Sequence, residues 1–123
     1  MSCKYIIERL IDVALNQSNW SGYSQPHAIE IPDDSDGSVV TVQINSTYLY
    51  HKIPRVEYEI NIIYDSKGLE PSTTHKITYN LYPHKGSTDE LLAKIERSIK
   101  RLTNKEYLLE LPVKESPFFG LTI

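Results

Sequence analysis

The sequence predicts an α+β fold, a two-layer sandwich in which two helices cover one face of a mainly antiparallel sheet of four to five strands. Two observations support this prediction. Three consecutive segments in the middle of the chain alternate apolar and polar residues, which is typical of strands with one buried face. One segment before them and one after them carry apolar residues at the spacing of an amphipathic helix. The predicted order of elements is α-(β)-β-β-β-α-β, with a short edge strand in parentheses.

The two predicted helices cover residues 4–16 and 88–103. Each has one apolar stripe: Ile6, Ile7, Leu10, Ile11 and Ala14 in the first, and Leu91, Leu92, Ile95, Ile99 and Leu102 in the second. Ser87 followed by Glu90 forms a capping box, which indicates where the second helix begins. Asn104 suits the left-handed residue that follows a helix, so we expect the second helix to end there.

The alternating segments predict an antiparallel meander over residues 38–50, 55–64 and 75–82. Their apolar faces are Val40, Val42 and Ile44, then Val56, Tyr58, Ile60 and Ile62, then Ile77, Tyr79 and Leu81. The sequence HAIEI at residues 27–31 predicts the edge strand. EYLLELPV at residues 106–113 predicts a last strand that returns to pair parallel with a meander strand through a right-handed crossover. We expect the remainder of residues 17–37 to form a long loop.

Composition limits the classes of protein to consider. The 123 residues allow one domain, which we place at residues 1–115, followed by an apolar arm at residues 116–123. A net charge of −3 argues against nucleic-acid binding. Cys3 is the sole cysteine, so neither an intrachain disulfide nor a cysteine-based zinc site is expected. The sequence shows no secretory signal and no apolar run long enough to span a membrane, so the expected location is cytoplasmic, or the virion if a phage encodes the protein.

No combination of residues predicts catalysis, and we expect neither enzymatic activity nor a cofactor. The four histidines are scattered without the spacing of metal ligands: His27, His51, His75 and His84. Glu57 and Glu59 share one face of a predicted strand, but an open sheet face does not shift a carboxylate pKa as a cleft does. Asp34, Asp36 and Gly37 fit a turn rather than a calcium loop.

The start of the second helix is the best candidate for an anion site. Lys85, Ser87 and Thr88 place a cation and two hydroxyls at a helix N-terminus, where backbone N–H groups favour negative charge. The order of glycine and lysine differs from that of a phosphate-binding loop, and Asp89 would repel an anion. Helix capping is therefore the alternative role for these residues.

The apolar arm contains both phenylalanines of the chain, behind Pro117. Its large apolar residues are Phe118, Phe119, Leu121 and Ile123. Burial of each is worth roughly 1.5–3 kcal/mol, so we expect the arm to dock on protein. Two alternatives remain open. The arm either folds back close to Trp20 and Tyr23, or it enters a groove or adds a strand on another subunit.

These observations predict a non-enzymatic protein–protein interaction or assembly protein, with a protein partner or a homo-oligomer. Such a protein is either a self-assembling component, such as a phage tail or neck protein, or an inhibitor or immunity-type binder. Contact is expected through the arm and the 17–37 loop. The alternative is a small-ligand or nucleotide-binding domain that uses this loop and the helix start at residues 84–88. Membrane and nucleic acid are not expected partners.

Overall fold

The computed structural model describes residues 1–50, 52–67 and 71–113. Within them the chain forms two helices and four strands, which we label in chain order. They are α1 (Cys3–Ser21), β1 (His27–Asp33), β2 (Ser38–Leu49), β3 (Arg55–Asp65), β4 (Thr73–Leu81) and α2 (Thr88–Thr103). A single 3₁₀ turn follows at Leu108–Glu110. The predicted α+β sandwich is confirmed.

The four strands form one antiparallel sheet in the order β1-β2-β3-β4. Ile60 of β3 is paired with Ile44 on one side and with Ile77 on the other, so apolar residues of neighbouring strands lie on one face. Helix α1 packs on β1 and β2, and α2 packs on β3 and β4. The predicted apolar faces of the meander therefore form the interface between sheet and helices.

Two buried hydrogen bonds join α1 to the sheet. The Tyr58 hydroxyl donates to the carbonyl oxygen of Ile11 at 3.2 Å, and the Ser46 hydroxyl donates to that of Ala14 at 2.8 Å. Burial of polar groups is favourable only when they are hydrogen-bonded. These bonds therefore set the position of α1 along the sheet, which packing of apolar side chains alone leaves less specific.

Helix α1 is longer than predicted, so the predicted loop is wrong at residues 17–21, whereas the predicted edge strand at residues 27–31 is present as part of β1. Residues 17–21 continue the helix, which ends at Gly22 in a left-handed conformation with φ of 89°. The Gln17 side-chain oxygen accepts a hydrogen bond from the Gln25 N–H and contacts the His27 ring. These contacts join residues eight or more positions apart in the chain. The local pattern of apolar residues therefore did not indicate that residues 17–21 are helical.

Helix α2 matches the prediction in its bounds and in both of its caps. The Ser87 hydroxyl accepts a hydrogen bond from the Glu90 N–H at 3.2 Å. Asn104 follows the helix with φ of 58°, and its N–H donates to the Lys100 carbonyl. Both ends are set by residues close in sequence, which explains why the pattern alone was sufficient.

The predicted last strand at residues 106–113 is wrong. Leu108 and Leu109 are adjacent in the chain and both buried, which a strand with alternating faces does not allow but a 3₁₀ turn does. Beyond this turn, Leu111 accepts a hydrogen bond from the Cys3 N–H, and Pro112 forms an isolated bridge with Ser2. The segment therefore covers the start of α1 and adds no strand to the sheet.

Replacement of Tyr58 by Phe tests the bond between α1 and the sheet. The substitution keeps the ring and removes the hydroxyl that donates to Ile11, so we expect a loss of roughly 0.5–1.5 kcal/mol in the free energy of unfolding. Urea denaturation monitored by circular dichroism measures it. The matched control is Tyr5→Phe at an exposed position of α1. Equal stability of the two variants would show that the buried bond contributes nothing.

Candidate interaction surface

Backbone hydrogen bonds attach the residues that follow α1 to the C-terminal end of β2. The Tyr48 N–H donates to the Gly22 carbonyl, and the Ser24 N–H donates to the Ser46 carbonyl, both at 2.8 Å. Tyr23 forms an isolated bridge with Thr47. The end of α1 and the end of β2 are thereby held together as one ordered surface.

Large apolar side chains are exposed at this end of the molecule. The exposed fraction is 86% for Trp20, 75% for Tyr50, 59% for Ile53 and 57% for Tyr23. The rings of Tyr48 and Tyr50 contact each other, with centroids 4.6 Å apart. We call these five residues the aromatic surface. Trp and Tyr are enriched where proteins bind one another, because their rings bury a large area and their polar atoms still form hydrogen bonds.

A cleft of about 380 Å³ lies beside the two aromatic residues that sequence analysis selected. Trp20 and Tyr23 line it together with the polar residues Asn16, Gln17, Ser21 and Gln25. The structure thus brings Trp20 and Tyr23 together as predicted site residues, on a helix end rather than in a long loop. None of the residues that line the cleft carries a charge.

A groove adjoins the aromatic surface at Tyr48. It has a volume of about 470 Å³ and lies between α1, the start of β3, the end of β4 and the start of α2. Its apolar lining consists of Leu15, Tyr48, Val56, Leu81, Tyr82 and Pro83. Polar residues, among them Asn19 and Arg55, complete the lining. The groove therefore extends the aromatic surface into a concave region whose lining is mainly apolar.

The predicted anion site borders this groove, and the polar groups of Ser87 within it are already engaged. Ser87 caps α2 through its hydroxyl, and its N–H donates to the Tyr79 hydroxyl at 3.3 Å. The Tyr79 hydroxyl lies 3.0 Å from a carboxylate oxygen of Glu90. Burial is the main cause that raises the pKa of Tyr79 above its ordinary value. These contacts and the nearby carboxylates weigh against an anion; the site formed by Lys85, Ser87 and Thr88 stays a prediction.

A polar cluster joins the β1–β2 turn to the segment after α2, and we call it the polar clamp. Asp33 is only 4% exposed, and its carboxylate accepts hydrogen bonds from Lys105 at 2.7 Å and from Tyr107. Lys105 also contacts Asp36, and the Ser35 hydroxyl donates to Asp33. No buried side-chain nitrogen or oxygen of the described residues lacks a partner, so the clamp is a satisfied structural network.

Electrostatics of the polar clamp favour the charged form of both central groups. Hydrogen bonds from Lys105, then from Ser35 and Tyr107, hold the pKa of Asp33 well below its ordinary value. Burial alone would lower the pKa of Lys105, but its hydrogen bonds to Asp33 and Asp36 outweigh burial and raise that pKa. Sequence analysis missed this cluster because its main partners are 72 positions apart in the chain.

The remaining predicted contact residues belong to the apolar arm. Phe118, Phe119, Leu121 and Ile123 lie outside the described residues, as does His51. Within residues 1–50, 52–67 and 71–113, no three His, Cys, Asp or Glu side chains converge as in a metal site.

Tyr50 and Ile53 of the aromatic surface are not among the site residues predicted from the sequence. The local signals were the large number of tyrosines, nine in the chain, and the turn at Ile53-Pro54, which places Tyr50 and Ile53 beyond the end of a strand.

No protein-family model matches the chain, and neither a curated protein nor a solved structure matches it. Of the helices in the described ranges, neither combines the length and the apolar composition needed to cross a membrane.

Replacement of Asp33 by Asn tests the polar clamp. Because the folded-state pKa of Asp33 lies below its ordinary value of 3.8, the folded protein binds fewer protons than the unfolded chain at acidic pH. The contribution of Asp33 to stability is therefore present near pH 7 and lost as the pH falls below about 4. We expect Asp33→Asn to be less stable at neutral pH and to lose less stability on acidification. Urea midpoints measured across this pH range provide the test.

The matched control for this prediction is Glu30→Gln, which removes an exposed carboxylate from the same strand. A pH dependence of Asp33→Asn that equals that of the unmodified chain would show that the carboxylate of Asp33 does not stabilise the folded state.

Proposed function

We propose that this protein is a non-enzymatic assembly protein whose copies associate through the aromatic surface. The observation that carries this proposal is the exposure of Trp20, Tyr23, Tyr50 and Ile53 at one end of the sheet, each by more than half. Burial of a large apolar side chain gains roughly 1.5–3 kcal/mol, so association that covers several of them is favourable.

Rigidity of the backbone beneath the aromatic surface supports the proposal. The Gly22–Tyr48 hydrogen bond and the Tyr23–Thr47 bridge hold the surface before any partner arrives. A surface that is ordered in advance loses less conformational entropy on binding, and more of the contact energy remains as affinity. Trp and Tyr are also the residue types that most often dominate the binding energy of an interface.

Contacts on the outer face of the sheet support a non-enzymatic role. Glu57 and Glu59 are the two carboxylates that share one face of β3. Glu59 forms an ion pair with Lys76 at 2.7 Å, and this face of the sheet is exposed. The ion pair with Lys76 lowers the pKa of Glu59, which keeps it ionised. A carboxylate on an open face with a lowered pKa is a poor general acid.

Small-ligand binding is the second candidate function, and the groove favours it. Its volume of about 470 Å³ falls in the range of small-molecule sites. A nucleotide or phosphate that binds here would raise the melting temperature by several degrees at saturating concentration. Thermal unfolding in the presence of these compounds measures the shift, and a shift of this size without any change in molecular mass would favour this candidate over assembly.

Light scattering during size-exclusion chromatography tests the assembly function. The full chain is expected to exceed its monomer mass of 14.1 kDa and to dissociate on dilution. Trp20→Ser combined with Tyr23→Ser should shift the equilibrium toward the monomer, because it removes apolar area from the interface. Since Trp20 is the sole tryptophan of the chain, its fluorescence should move to shorter wavelength on assembly.

The control is Gln43→Ser, which changes an exposed residue of β2 away from the aromatic surface and should leave the mass distribution unchanged. A full chain that stays at 14.1 kDa over about a hundredfold range of concentration, with constant tryptophan emission, would rule out assembly through this surface.

A further inference from the structure

The shape and lining of the groove limit what can bind in it. Its lining includes Leu15 and Leu81, which are partly buried side chains packed against the hydrophobic core. Aromatic rings of Tyr48 and Tyr82 stand in its lining. A groove of about 470 Å³ accepts a few side chains of an extended segment, whereas a flat or convex surface would leave it empty.

We propose that the apolar arm of one copy docks in this groove on a second copy and so joins the copies head to tail. The inference rests on the assembly function proposed above and identifies the contact that drives it. In the sequence of the arm, Phe118 and Phe119 are consecutive and directly follow Pro117. Phenylalanine rings pack favourably against tyrosine rings such as those in the groove lining.

The direction of the chain before the arm argues for a second copy. Leu111 is hydrogen-bonded to Cys3, and Val113 is hydrogen-bonded to Met1, both at 2.9 Å. Residues 111–113 therefore run antiparallel to residues 1–3 and lead away from the first turn of α1. The groove lies near the other end of this helix, at Leu15 and Asn19.

The length of the arm supports the same conclusion. Leu15 lies twelve residues beyond Cys3 in α1, a distance of about 18 Å along the helix axis. Phe118 is five residues beyond Val113 and reaches at most about 18 Å when fully extended. Since the chain passes Met1 while moving away from the helix, Phe118 reaches its own groove only with an immediate reversal. The groove of a neighbouring copy has no such restriction.

A contact between two different surfaces of the same chain has a consequence for symmetry. The arm and the groove form a heterologous interface, which closes into a ring or extends into a filament according to the rotation between copies. Each copy supplies one arm and accepts another. The aromatic surface adjoins the groove at Tyr48, so arm docking also brings a neighbouring copy against Trp20 and Tyr23.

A peptide with the sequence of residues 113–123 tests the inference directly. It carries a fluorescent label and is titrated into full chain that bears Phe118→Ser and Phe119→Ser, so that the chain's own arm does not compete. We expect saturable binding. Asn19→Lys with Pro83→Glu, two exposed positions of the groove lining, should weaken it about tenfold or more. Gln43→Lys, on the outer sheet face, is the matched control.

Light scattering on the same variants completes the test. Phe118→Ser with Phe119→Ser should reduce the assembled mass to that of the monomer, and Thr122→Ala in the same arm should not. Absence of saturable peptide binding, or binding that the groove substitutions leave unchanged, would overturn the inference. Peptide binding to a chain that is monomeric when unmodified would place the arm in its own groove and overturn it as well.

The outcomes also separate this inference from the assembly function. A chain that assembles, and dissociates on replacement of Trp20 and Tyr23, but ignores the two phenylalanine substitutions would refute arm docking alone. A chain that stays monomeric throughout would refute the assembly function.

Discussion

Burial of one sheet face beneath two helices is the constraint on which the rest of this structure depends. Most inner residues of β2 and β3 are apolar, and α1 and α2 are the elements that exclude water from them. Apolar burial is not directional, so it does not by itself fix where a helix lies along a sheet. The buried bonds from Tyr58 and Ser46 to carbonyls of α1 provide that position.

The position of α1 determines what lies at each end of the molecule. Its last turn meets the end of β2, where Gly22 and Tyr48 are hydrogen-bonded, and this contact builds the aromatic surface. Its first turn meets residues 111–113, which follow the polar clamp. Lys105 and Tyr107 of the clamp anchor this part of the chain to Asp33 in β1. A polar network at one end therefore sets the place from which the arm departs.

The two ends of the molecule differ in how far their side chains are paired or covered by other parts of the chain. In the clamp, the buried carboxylate of Asp33 has cationic and hydroxyl partners within the chain. At the aromatic surface, Trp20 and Tyr50 remain mostly in water although their backbones are held by the fold. An ordered apolar surface of this kind gains from contact with another protein, and the arm is an apolar segment of the same chain.

Local patterns in the sequence determined the fold class, the meander, both amphipathic helices and the bounds and caps of α2. Each of these depends on residues within a few positions of one another, as in the capping box of Ser87 and Glu90. They also predicted Trp20 and Tyr23 as contact residues; this role stays a prediction, and the structure places Trp20 in the last turn of α1 and Tyr23 just after it.

Tertiary structure alone decided the length of α1, the 3₁₀ turn in place of a last strand, the polar clamp and the groove. The first three depend on contacts between residues that are not neighbours in the sequence: Gln17 with His27, Leu111 with Cys3, and Asp33 with Lys105. The groove likewise combines residues of separate elements, such as Leu15 of α1 and Leu81 of β4. A periodic pattern records which face of an element is buried. It does not record which distant element buries it, and these features depend on that choice.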